Sequence, residues 1–173
     1  MAELSDLWRA PRRDVRGMKE QLAALEPGTL VAAKFENPRY GRWIVEGELK
    51  RSSAGDFTVA GSPIGSAKAP DGSLLSITVL EEPASVTPSE QVPEHGAVVR
   101  AAAFNDGHGR FFLTGTVVEA PVFDGALDGA SMVGGWLLGH PGVAGIEVLA
   151  APGEHDQPVP PRITAVDASA LEV

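Results

Sequence analysis

Nine residues, GRWIVEGEL from Gly41 to Leu49, return 68 positions later as GRFFLTGTV from Gly109 to Val117. Self-similarity at a fixed spacing is the signature of one structural unit built more than once, and it restricts the fold more than any composition does. The likeness reaches beyond these segments. Val99 and Ala101 stand 68 residues after Val31 and Ala33, and ITVLEEP from Ile77 to Pro83 matches IEVLAAP from Ile146 to Pro152 at a spacing of 69. The units are therefore 27–83 and 95–152, joined by the linker ASVTPSEQVPE at 84–94. Phe104 falls 69 rather than 68 residues after Phe35, and the spacing is 68 again at Gly109. This predicts one extra residue around Ala102 and Ala103, as in a β-bulge.

Inside each unit the apolar period is two, the mark of half-buried strands. Val31, Ala33 and Phe35 alternate with Ala32, Lys34 and Glu36; beyond the turn NPRYG, Trp43, Val45, Gly47 and Leu49 alternate with Ile44, Glu46, Glu48 and Lys50. Phe111, Leu113, Gly115 and Val117 repeat that inward face. Further apolar stretches at Phe57 to Val59 and Leu74 to Leu80 complete a set of short strands. Five strands with a glycine at the bend of the second resemble a small SH3-like barrel. The resemblance implies a mainly β chain of two tandem repeated small SH3-like β-barrels preceded by an N-terminal helix. Units of ~60 residues bury only about 60% of their unfolded surface, so the two are expected to pack together.

The helix is read from Val15, Met18, Leu22 and Leu25, whose spacings place them on one stripe. Asp14 is placed to cap its start, and Pro27-Gly28 to end it. A shorter helical turn is expected at Leu4, Leu7 and Trp8, ahead of Pro11. The helix of segment 1–26 is expected to dock, on the chain's own barrels in preference to a partner chain, since so short a helix is marginal in water without burial. The tail 153–173 is Pro-rich and reads as extended, with a short strand at 162–166.

Composition narrows the function. A formal charge of −9 argues against the main body wrapping a phosphate backbone. The absence of cysteine excludes disulfides, thiolate metal sites and a cysteine nucleophile. An acidic N-terminus without an apolar run, and no stretch near the ~18 apolar residues of a membrane span, lead to the expectation of a cytoplasmic protein without membrane contact. The exception to the acidic balance is the N-terminal segment, where Arg9, Arg12, Arg13, Arg16 and Lys19 face only Asp14 between residues 7 and 19.

No motif specifies a reaction. The turns NPRYGR (Asn37 to Arg42) and NDGHGR (Asn105 to Arg110) hold equivalent places. Their Asn, Asp, Gly and Pro serve the turn itself, which leaves Tyr40, Arg42, His108 and Arg110 as candidate partner-binding residues, together with Arg12, Arg13 and Arg16 on the basic arm. On the outward strand face, Phe112 and Val118 are candidate interface residues because an exposed pair would be adhesive. The histidines form no compact ligand pair, GASMVGG lacks the lysine of a phosphate loop, and no metal or cofactor is expected. The chain therefore reads as a non-catalytic binding or scaffolding protein, with a protein or a second copy as partner. Two alternatives are a hydrolase with its site at His108 and Asp106, and a nucleic-acid-associated factor acting through the N-terminal arginines.

Overall fold

A computed structural model describes residues 14–82, 86–88, 93–107, 109–119, 131–134, 136–138, 142–155 and 159–161. Among the described residues, one helix, α1 (Val15–Ala24), precedes strands β1 (Leu30–Asn37), β2 (Gly41–Arg51), β3 (Phe57–Val59), β4 (Ser62–Gly65) and β5 (Leu74–Val79). A second series follows: β6 (Val98–Asn105), β7 (Gly109–Thr116), β8 (Val118–Glu119), β9 (Ser131–Val133), β10 (Trp136–Leu137) and β11 (Val143–Ala150). The main sheet has eight strands in the order β11-β6-β7-β2-β1-β5, with β3 joined to β2 and β4 to β3. The remaining described strands form a three-stranded sheet, β10-β9-β8.

The chain is mainly β, as its period of two requires, but the described pairings close no barrel. Two separate SH3-like barrels would each seal their own second strand. Here β2 and β7 pair with each other instead, Trp43 opposite Gly115 and Glu46 opposite Phe112, so the sheet runs uninterrupted from one half into the other.

Both hairpins are in the same register. β1 and β2 pair from Leu30↔Glu48 to Asn37↔Gly41; β6 and β7 pair from Val98↔Thr116 to Asn105↔Gly109, each residue 68 further along. The bulge expected at Ala102 and Ala103 is absent from this ladder. Ala103, not Phe104, takes the inward place corresponding to Phe35, being 7% exposed against 51% for Phe104. The irregularity lies one strand away, where β11 shifts register against β6 between Val143 and Gly145 and again between Val148 and Ala150. The turns between β3 and β4 and between β9 and β10 also correspond, since Ala60 and Gly134 both have positive φ, 52° and 58°.

One core spans both halves. Val31, Ala33, Phe35, Trp43, Val45 and Leu49 cluster with Val99, Ala101, Phe111, Leu113 and Val117. The alternation therefore has the expected phase. The opposite face departs from the pattern, because it is buried too: Ile44 and Val98 are 5% and 0% exposed, and the charged Glu46 and Arg100 are 5% and 3% exposed. Glu46 accepts a hydrogen bond from Arg100 Nη2 at 2.5 Å.

The helix docks in cis. Asp14 caps it by accepting from the Gly17 N–H at 2.9 Å, and Met18 and Leu22 enter the core at 4% and 0% exposure. Gln21 donates its side-chain amide to the Ile77 carbonyl at 2.8 Å, which occupies a main-chain acceptor on β5, the last strand of the sheet order. Leu22→Ala should lower unfolding stability by about 2–4 kcal/mol through the cavity it leaves. Urea denaturation would show this as a lower midpoint at unchanged slope, and an unchanged midpoint would contradict the docking.

Candidate functional site at the first hairpin tip

The tip between β1 and β2 is fixed by Asn37, whose side-chain oxygen accepts from the Arg39 N–H at 3.0 Å and the Tyr40 N–H at 2.8 Å. Such an Asx turn rigidifies a loop at little entropic cost. Its consequence is a division of side chains. Tyr40 meets Trp43 edge to face, with ring centroids 6.0 Å apart and planes at 88°. Trp43 in turn stacks on Phe35 at 5.3 Å and 12°. Arg42 instead pairs across the hairpin with Glu36, Nε to Oε2 at 2.8 Å, and its side chain is 19% exposed.

Two hollows flank this tip, and Asn37 borders both. The larger, about 430 Å³, has the Glu36–Arg42 pair on its wall with Pro38, Leu75, Val159 and Pro160. The smaller, about 210 Å³, is lined by Phe35, Tyr40, Trp43, Ser62 and Asp71. Its remaining wall includes Gly134, contributed by the second half of the chain. A Cβ on Gly134 would lie 2.4 Å from Trp43 Cδ1, and one on Gly115 2.8 Å from Trp43 Cβ. Neither position has room for a side chain, so glycine there lets the two halves close around the indole.

The structure separates residues that the sequence groups together. Because β2 and β7 are antiparallel, the two hairpin tips project from opposite ends of the sheet. Tyr40 and Arg42 therefore share no surface with Arg110, which is exposed at the far end. There Asn105 accepts from the Gly107 N–H at 2.8 Å, and Lys50 Nζ donates to the Gly107 carbonyl. Asp106 is exposed at that tip. His108, Arg12 and Arg13 lie outside the described residues, as do the early helical turn and the 162–166 strand. Arg16 has a 92% exposed side chain 3.5 Å from Glu20. Val118 is fully buried, and Phe112 is half-buried. Val118 lies opposite Met132 in the small sheet.

Phe35 and Trp43 were legible in the sequence only as core positions. Their part in lining a cavity depends on Asp71 and Gly134, which are distant in the chain and carry no local signal. Among the described residues, no three His, Asp or Glu side chains stand close enough to hold a metal ion, and no helix is long and apolar enough to cross a membrane. Comparison with protein-family models, curated proteins and solved structures finds no match to this chain.

Proposed function

We propose that the chain is a non-catalytic binding protein that uses paired β-units to engage a macromolecular partner, with the tip of the β1–β2 hairpin as its contact. The observation that carries this reading is the pair of hollows on either side of a tip held by its own Asn37. A rigid loop flanked by concave surfaces suits recognition of a protruding segment. The shared registers of the two hairpins support 27–83 and 95–152 as two copies of one unit, whose tips have diverged between Tyr40-Gly41-Arg42 and His108-Gly109-Arg110.

The test is a cross-linking capture from native-cell extract with the full-length chain, a Tyr40→Ala/Arg42→Ala variant and an Arg110→Ala variant. Loss of specific captured partners in the first variant and their retention in the second is the expected result. An identical set from all three chains would defeat the assignment to this tip.

A further inference from the structure

The smaller hollow takes this reading further and rests on it. At about 210 Å³ it falls below the ~300–1,000 Å³ of sites for drug-sized ligands, so it fits the head of a side chain or a small ion. Among the described residues no Lys, Arg or His lines it, and Asp71 is the one formally charged residue that does. The Asp71 carboxylate is held in place by the Ser73 N–H, 2.9 Å from Oδ1. Phe35, Tyr40 and Trp43 form the aromatic part of the wall, beside Asn37, Ser62, Pro63, Ser73 and Gly134, and the Tyr40 and Trp43 planes stand at right angles. Aromatic rings carry negative charge on their faces and attract cations, most strongly where water is displaced. A compact primary ammonium is strongly hydrated, whereas a methylated one presents apolar surface to apolar walls and keeps its charge.

The second half shows that this space is not a requirement of the fold. Ser62 pairs with Val59 across the β3–β4 turn, and Trp136 pairs with Val133 across the corresponding β9–β10 turn. Trp136 therefore occupies the place of Ser62, and its ring lies 5.1 Å from Phe111, the counterpart of Trp43. Where the second half has an indole, the first has a small hydroxyl side chain bordering a hollow.

We propose that this hollow binds a methylated ammonium group, carried either by a lysine side chain of a protein partner or by a free choline-like molecule. The experiment is a titration of the full-length protein, followed by the Trp43 indole N–H resonance and by calorimetry. The probes are choline, its uncharged isostere 3,3-dimethylbutanol, and a short peptide containing trimethyl-lysine.

Saturable binding of choline or the peptide is expected, with the uncharged isostere at least about tenfold weaker. Tyr40→Leu, which keeps apolar bulk, and Asp71→Asn, which keeps an acceptor for Ser73, should each weaken binding about fivefold or more. Arg110→Ala, at the opposite end of the sheet, should leave it unchanged. A peptide that binds much more tightly than choline identifies a partner's lysine; equal affinity identifies the free molecule. The proposal is overturned if the isostere binds as well as choline, or if no probe shifts the resonance up to about 10 mM. The isostere comparison uses only wild-type protein, so it decides even where a variant fails to fold. Failure of all probes while partner capture still depends on the tip removes the ammonium site alone; capture independent of the tip removes the broader reading.

Discussion

Trp43→Ala is expected to destabilise the protein by about 3–5 kcal/mol, the range for deleting a large aromatic from a packed core. Trp43 is 7% exposed, stacked on Phe35 and edged by Tyr40. The loss should sit at the high end because the cavity cannot readily collapse. Two of its closest neighbours, Gly115 and Gly134, have no side chains to move inward. Equilibrium unfolding in urea is the measurement, read at unchanged m-value. A loss under about 1 kcal/mol would mean that the indole is not packed between the two halves.

Arg100→Met should cost a similar amount, about 3–5 kcal/mol, for an electrostatic reason. The Arg100 and Glu46 side chains are 3% and 7% exposed, so removing the cation strands a carboxylate away from water. The intact pair is nevertheless incompletely satisfied: Arg100 Nε and Thr114 Oγ1 are buried with no hydrogen-bond partner among the described residues. Replacing both members, Arg100→Met with Glu46→Leu, should therefore restore stability to within about 1 kcal/mol of wild type or exceed it. A double-mutant cycle in urea measures the coupling directly. Additive losses from the single and double variants would contradict a buried pair.

The sequence expressed local geometry faithfully and long-range geometry poorly. The phase of β1, β2, β6 and β7 was legible because alternation is a property of neighbouring residues: Val31, Trp43, Val99 and Phe111 all face the common core. The misplaced bulge came from equating Phe104 with Phe35 by residue type, whereas hydrogen-bond register equates Phe35 with Ala103. Glu46 reads as solvent-facing by the same alternation. Its burial depends on Arg100, 54 residues away, and no local pattern announces such a partner. The candidate site divides in the same way. Tyr40 and Arg42 were visible as tip residues that a turn does not need, while Asp71 and Gly134 join Tyr40 only through tertiary packing.

The pairing of β2 with β7 also sets an order of events in folding. Hairpins β1–β2 and β6–β7 close turns of a few residues and can form early, since short loops lose little entropy on closure. The β2–β7 ladder joins Val45 to Leu113 and must wait for the whole intervening chain to be collected, the situation that slows folding in proteins rich in non-local contacts. Until then each half presents the bare edge of its second strand, and the two edges are near copies of each other. An edge that accepts its counterpart within one chain will also accept it from another. At high concentration the refolding chain is thus prone to exchange halves between molecules, giving an intertwined dimer whose every ladder is native in register.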